Sequence, residues 1–307
     1  MSRVLITGAS GLLGANLART AADQHDVVGI YHNHAMRSCR FQLQHADLTL
    51  EDTVIDLVDR TRPEWIIHCA AATNVDRCQE DPAMARRHNV DMPGYLARAA
   101  KRVGSRMAYI STDSVFDGGK GNYHEEDRAA PINEYAKSKL AGEQIVRMEL
   151  DYGLVIRTNF YGWNALGQLS LAEWMLSNLE EGSPINGFYD VYFTPILVND
   201  LADVILLMLE RELTGVYHVA GSQRCSKYEF GCKLAAVFEL DPRLIRPTSI
   251  TEAGLVAPRS LETSLCTSKI TQALAMGMPD VVSGLRRFKT LHETGYVAEL
   301  QSLIVVV

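Results

Sequence analysis

Short aliphatic, β-branched runs alternate with stretches of helical periodicity through the first half of the chain. Arg3-Val4-Leu5-Ile6-Thr7 reads as a strand and Ala15 to Ala22 as a helix; Asp26 to Tyr31 reads as a second strand and Leu50 to Thr61 as a second helix. Glu64 to Ala72 is an apolar run suited to a parallel strand buried on both faces. A long helix is expected from about Pro82 to Val103, interrupted near Pro93-Gly94, then a strand from Met107 to Thr112. A helix opening at Glu134 and a sixth strand, Leu154 to Arg157, complete the series. Strands and helices in this order predict an α/β fold with a doubly wound parallel sheet and right-handed crossovers.

The second half keeps the helical period but loses the regular strands. Helices are expected at Leu171 to Leu179, Leu201 to Glu210, Lys227 to Phe238, Ser268 to Met276 and Val281 to His292, with Phe193 to Val198 extended. No Pro/Gly/Ser linker divides the halves, so two interleaved lobes are predicted. One comprises residues 1–159 plus about 195–215, and the smaller comprises about 160–194 plus 216–307.

Composition narrows the class. With 307 residues, 47% hydrophobic and 22% charged, the chain reads as an ordinary globular protein with ample core. A net charge of -7 argues against nonspecific nucleic-acid binding. No apolar run approaches a membrane span, and the apolar tail Leu303 to Val307 is too short to anchor the chain. The first strand leaves no room for a signal peptide. Six scattered cysteines without a Cys-x-x-Cys spacing read as reduced thiols, and the expected location is cytoplasmic.

Candidate chemistry enters where the first strand meets Gly8-Ala9-Ser10-Gly11-Leu12-Leu13-Gly14. Strand, glycines, then helix is the context in which a glycine motif marks a dinucleotide site. Gly8 permits the tight turn, Gly11 the approach of a pyrophosphate to the helix N-terminus, and Gly14 close packing of helix on strand. Ser10, Leu12 and Leu13 are expected contacts of the same group. At the end of the second strand an NAD-selective site carries an acidic residue. This chain instead has Tyr31-His32-Asn33-His34, with Arg37 and Arg40 close behind. NADPH is therefore the expected cofactor, with NADH admitted; solvated loop charges are the alternative reading of the arginines. Asp47-Leu48 is the expected adenine turn, and the small residues Ala70, Ala71 and Ala72 let a cofactor lie against the backbone.

Tyr135 and Lys139, four apart, share one helix face. An ammonium beside a phenol favours the phenolate and makes the tyrosine a usable acid or base. Among 12 Tyr and eight Lys, chance supplies roughly a third of one such pair, so the spacing alone is weak. Its position strengthens it, because Ser111-Thr112 ends a strand just upstream and Thr112 is placed to hydrogen-bond the oxygen that Tyr135 protonates. Asp113 is a candidate for steering substrate, with a loop-capping role as the alternative. Phe160, Tyr161 and Trp163 follow the sixth strand; they are candidates for stacking on a base, with packing in the smaller lobe as the alternative.

Thr7-Gly8-x-x-Gly11-x-x-Gly14, Cys69-Ala70-Ala71-Ala72, Ser111-Thr112-Asp113-x-Val115-Phe116-Asp117-Gly118 and Tyr135-x-x-x-Lys139 together resemble an extended short-chain dehydrogenase/reductase, and more narrowly the dTDP-4-dehydrorhamnose reductase group. Arg157-Thr158, Val198 to Ala202, Gly215 to Gly221 and Thr267-Ser268-Lys269 extend the likeness over nearly the whole chain. The resemblance implies a Rossmann sheet with a C-terminal substrate lobe, an NAD(P)-dependent oxidoreductase, and reduction of a keto group on a nucleotide-linked sugar. Thr112, Tyr135 and Lys139 are its implied catalytic residues, and Tyr135 and Lys139 also contact the cofactor. A homodimer is left open. Two departures stand out. Where that group commonly has Arg-Thr-Ser-Trp before Tyr-Gly, this chain has Arg157-Thr158-Asn159-Phe160-Tyr161-Gly162, which leaves Phe160 or Trp163 to replace the tryptophan. Asn16 replaces a glutamate that some members use in a metal-linked dimer, so no metal is carried over. A sugar-nucleotide epimerase or dehydratase is an alternative on the same fold. A second is a regulatory subunit, because the methionine adenosyltransferase β subunit resembles the same group and matches Ser226-Lys227-Tyr228-Glu229.

Overall fold

Seven parallel strands form the large sheet of the protein, seen in a computed structural model that describes residues 1–305. In chain order they begin β1 Arg3–Thr7, β2 Asp26–Tyr31, β3 Gln42–His45, β4 Trp65–His68, β5 Arg106–Thr112 and β6 Leu154–Thr158. The seventh strand is Gly215–His218, and across the sheet the order is Gly215–His218, β6, β5, β4, β1, β2, β3. The order reverses between β1 and β4, which opens a crevice at their carboxyl ends.

Period-two alternation along the strands sends side chains to two separate helix layers. Val4 and Ile6 of β1 join Ile67, Ala108 and Ile156 under α1 (Leu12–Ala21) and the helix Val198–Glu210. Leu5 joins Ile66, Tyr109 and Val155 under α2 (Glu51–Thr61), with Leu96 and Val146 from the helices described next. Neither face of the central strands meets water, which is why they read as continuous apolar runs.

The stretch from 75 to 103 departs from expectation. It comprises α3 (Val75–Glu80), α4 (Pro82–Arg86), a π-helical turn Arg87–Asp91, and α5 (Met92–Val103). The interruption lies just before Pro93, whose ring has no N–H for the turn behind it; the Asn89 carbonyl in that turn accepts from the Tyr109 hydroxyl at 3.2 Å instead. The short strand β3 was not expected; Gln-Leu-Gln-His is polar at three of its four positions because it closes the sheet as an edge. α6 (Glu134–Glu149) starts where expected, with the Asn133 side chain accepting from Ala136 N at 2.8 Å.

The expected boundary near residue 215 is corrected. Gly215–His218 pairs with β6, and Ile270 and Leu274 of the later helix Ser268–Leu274 belong to the core beneath it. The smaller lobe has its own core, including Tyr161, Trp163, Met175, Phe193, Phe230 and Phe288. The apolar tail lies along the chain after β2: Arg37 N donates to Leu303 O at 2.8 Å and Val305 N to Ala35 O at 2.9 Å. Residues 306–307 of that tail lie outside the described residues. Among the described residues no helix is long and apolar enough to cross a membrane, and all six cysteines are free.

Candidate active site

A cleft of about 710 Å3 runs across the carboxyl ends of β1, β2, β4, β5 and β6. Gly8, Ser10, Gly11, Leu12, Leu13, Gly14, His32, Asp47, Leu48, Ala70, Ala71, Thr112, Asp113, Tyr135, Lys139 and Phe160 all line it. Residues distant in sequence thus meet in one place.

The glycines are required by contact. Gly8 has φ +66°, and a Cβ there would stand 2.8 Å from Ala70 N. A Cβ on Gly14 would overlap the Gly8 carbonyl oxygen. α1 then starts at Gly11 with no side chain capping it. Its first N–H groups are unclaimed by any side chain and stand at the positive end of the helix, a donor set that fits a diphosphate.

At the far end of β2 the arginines are corrected. Arg37 Nε donates to Ser302 O at 3.0 Å, and Arg40 pairs with Asp23; neither lines the cleft. The C-terminal segment, more than 260 residues away in sequence, has claimed Arg37. His32 and His34 do line the cleft, with His32 stacked on His45 and 3.9 Å from Asp47. The Asp47 carboxyl sits below its ordinary value, chiefly because the Thr49 hydroxyl donates to it at 2.6 Å.

Ala72 does not reach the cleft wall. Its N–H donates to Asn89 Oδ1 at 2.9 Å and its carbonyl accepts from Asn89 Nδ2 at 3.0 Å. Asn89 sits in the π turn, and its amide also donates to Ser138 of α6 at 2.9 Å, while the Tyr109 hydroxyl donates to its carbonyl at 3.2 Å. The π turn therefore fastens the end of β4 to the helix that carries Tyr135 and Lys139. α6 approaches so closely that a Cβ on Gly142 would overlap both Asn89 O and the Tyr109 hydroxyl. Pro93-Gly94 signalled an interruption nearby, but nothing in the sequence marked this fastening role.

Burial pushes the Tyr135 phenol above its ordinary value, with the Thr112 hydroxyl working the other way. The phenol is thus held protonated. The depression of Tyr135 by Lys139, expected from their spacing, is not what this geometry produces. Lys139 Nζ donates to Ile110 O at 2.7 Å and lies 4.1 Å from the centre of the Tyr109 ring. Burial brings the Lys139 amine down to about 7, against the opposing pull of Glu143 one turn along. Unfolded, the amine keeps its proton to about 10.5, so between about pH 7 and pH 10 the unfolded chain binds more protons at this site. The wild-type protein should therefore gain stability relative to Lys139→Met as pH rises through that window. Urea unfolding of both proteins across it checks the sign, and a flat difference would contradict it.

Behind these groups lies a buried ion pair. Arg157 Nη2 donates to Glu143 Oε2 at 2.7 Å, Arg157 Nε to Glu143 Oε1 at 3.0 Å, and the Ser111 hydroxyl to Glu143 Oε1 at 2.5 Å. β5, β6 and α6 are tied together through that one carboxylate.

On the substrate side, Asp113 is buried and engaged. Its Oδ2 accepts from Asn159 Nδ2 and from the Thr263 hydroxyl, both at 2.7 Å, and its Oδ1 from Thr112 and Ser114. These contacts support the loop-fastening role over direct contact with substrate. Trp163 is corrected: it stacks on Phe288 at 4.1 Å and donates Nε1–H to Phe288 O at 2.9 Å, inside the smaller lobe. Tyr161 is buried there too, so of the three rings Phe160 alone faces the cleft. Asn16 lies in a buried network, donating to Trp163 O and accepting from Tyr296 and Asn199. His88, Met92, Thr73 and Ser114 also line the cleft and had no signal in the sequence.

A parallel sheet with a glycine turn at β1, and a Thr-Tyr-Lys set at the ends of β5 and α6, define an extended short-chain dehydrogenase/reductase. A family model described as RmlD substrate binding domain matches residues 2–292, and the chain belongs to that family. It is 33% identical over 287 residues to the Haloferax volcanii protein named "Probable low-salt glycan biosynthesis reductase Agl14", covering 91% of this chain and 95% of that one. It is 31% identical over 280 residues to methionine adenosyltransferase 2 subunit beta of Pongo abelii, covering 85% of this chain and 79% of that one. Among solved structures, dTDP-4-dehydrorhamnose reductase from Bacillus anthracis in complex with NADP superposes with a TM-score of 0.83 at 30% identity, covering 94% of this chain and 99% of that one.

Proposed function

We propose that this protein reduces a keto group on a nucleotide-linked sugar, with NADPH as reductant and NADH accepted less well. The observation that carries the reading is that Thr112, Tyr135 and Lys139 line the same cleft as the uncapped start of α1. The likeness to a dTDP-4-dehydrorhamnose reductase solved with NADP supports both substrate class and cofactor.

NADPH, when bound, supplies the hydride. Leu12 and Leu13 at the start of α1 would hold its diphosphate on their N–H groups, the Gly11 N–H being taken by the Gly8 carbonyl at 2.9 Å, and His32 would hold the adenosine ribose. Tyr135 donates its phenolic proton to the carbonyl oxygen as negative charge develops there. The Thr112 hydroxyl, turning from Asp113 Oδ1 to the same oxygen, donates to it and stabilises that charge. Lys139, which donates to the Ile110 carbonyl at 2.7 Å, would turn to the hydroxyls of the nicotinamide ribose and orient that half of the cofactor.

Because no carboxylate ends β2 and His32 lines the cleft there, NADPH should bind more tightly than NADH. A charge-assisted hydrogen bond to the 2′-phosphate contributes about 1.5–3 kcal/mol, or roughly 10–100-fold. Isothermal titration of His32→Ala should show most of that preference gone, whereas Arg40→Ala should keep it. Equal affinities of the wild type for the two cofactors would sink the assignment.

Consumption of NADPH with a dTDP- or UDP-linked 4-keto sugar tests the reaction itself. The second reading, a non-catalytic regulatory subunit that binds NADP, is favoured by the 31% identity to the methionine adenosyltransferase β subunit. Stable capture of a methionine adenosyltransferase catalytic subunit, with no turnover of any keto sugar nucleotide, would decide for it.

A further inference from the structure

Lys227 opens the helix Lys227–Phe238 in the smaller lobe. Its backbone N–H donates to Val191 O at 3.0 Å, and the neighbouring Cys225 and Ser226 pair with Phe193 and Tyr192. The Tyr192 carbonyl accepts from Thr263 N at 3.0 Å, and the Thr263 hydroxyl donates to Asp113 at 2.7 Å. This short ladder is thereby docked against the loop that follows Thr112, and it sets Lys227 on the substrate-lobe side of Asp113.

The Lys227 ammonium lies 3.2 Å from the centre of the Phe193 ring. Among the described residues no carbonyl or carboxylate accepts a hydrogen bond from it and no acid forms an ion pair with it. Its neighbour Arg224, by contrast, is paired with Glu262. Asp113 is near enough to favour the charged amine, but both its oxygens are occupied by hydroxyl and amide donors. Burial lowers the amine only to about 8, so most of it carries charge at pH 7. Half-buried on an aromatic face with no protein acceptor, the ammonium keeps its N–H donors free for an anion.

We propose that Lys227 is the substrate-side cation of the cleft and binds an anionic oxygen of the substrate, namely its diphosphate. This rests on the sugar-nucleotide reading above. In such a substrate the diphosphate is attached one sugar ring away from a keto carbon held at Tyr135 and Thr112. Asp113, next to Thr112 in the chain, is joined through Thr263 and Tyr192 to the ladder that carries Lys227, so the keto site and the cation are linked by one short series of contacts.

The test is equilibrium binding of UDP, dTDP and thymidine to the NADP-loaded wild type, Lys227→Met and Lys227→Arg, with thermal unfolding of each. The expected result is that Lys227→Met weakens UDP and dTDP at least tenfold, leaves NADP binding intact and leaves weak thymidine binding unchanged. Lys227→Arg should retain part of the affinity. UDP-glucuronate and UDP-glucose distinguish the source of the anion: a diphosphate ligand makes the loss equal for the two. A loss confined to UDP-glucuronate would place Lys227 on a sugar carboxylate and overturn the assignment. Unchanged UDP and dTDP affinity in Lys227→Met, with only a lower melting temperature, would show that Lys227 serves Asp113 and overturn the inference alone. A wild type that binds NADP but neither nucleotide would overturn the sugar-nucleotide reading with it.

Discussion

Replacing Tyr135 by Phe lowers turnover by about 10²–10⁴-fold while NADPH affinity stays nearly unchanged. The phenol is held protonated by burial, the state a proton donor to a developing alkoxide needs. Its effect falls on the transition state, so kcat drops and the cofactor dissociation constant does not. Lys139→Met differs in kind: the amine lies beside the cofactor cleft, and its loss should weaken cofactor binding as well as turnover. Steady-state kinetics paired with cofactor titration separates the two variants. A Tyr135→Phe protein at full rate would put the acid elsewhere.

The largest effect on stability is expected at Arg157. Both members of the Arg157–Glu143 pair are almost fully buried, and Ser111 completes the carboxylate. Arg157→Met leaves that carboxylate in the core without its cation, a loss of about 3–5 kcal/mol. Glu143→Gln combined with Arg157→Met should recover much of it, because no uncompensated charge then remains. Denaturant unfolding of the single and double variants measures this. A single variant as stable as the wild type would mean that water reaches Glu143.

How far these features were legible depended on the range of the interaction that sets each one. The turn from β1 into α1 is written in Gly8, Gly11 and Gly14, because backbone approach there is a local matter. Tyr135 and Lys139 were legible for the same reason, since one helix turn places them. Trp163 was misassigned because Phe288 and His292 decide where its ring goes, and they lie more than 120 residues away. Arg37 was misassigned because Ser302 supplies its acceptor. The π turn at Arg87–Asp91 was invisible because its reason is tertiary: Asn89 must reach Ala72 and Ser138 together. β3 escaped notice because an edge strand needs no apolar run.

The sheet's closing strand also bears on how the chain is made. β6 ends at Thr158, and its outer neighbour Gly215–His218 emerges 57 residues later, which at 5–20 residues per second is roughly 3–11 s of synthesis. During that interval β6 is an open edge on the ribosome, Leu-Val-Ile followed by Arg and Thr, with the backbone N–H and carbonyl groups on the side away from β5 unpaired. The helix Ser268–Leu274 that packs beneath the closing strand arrives later still. A nascent chain of this protein is therefore most exposed to chaperone capture, or to pairing with a neighbouring nascent copy, after the nucleotide turn has formed and before the smaller lobe is complete.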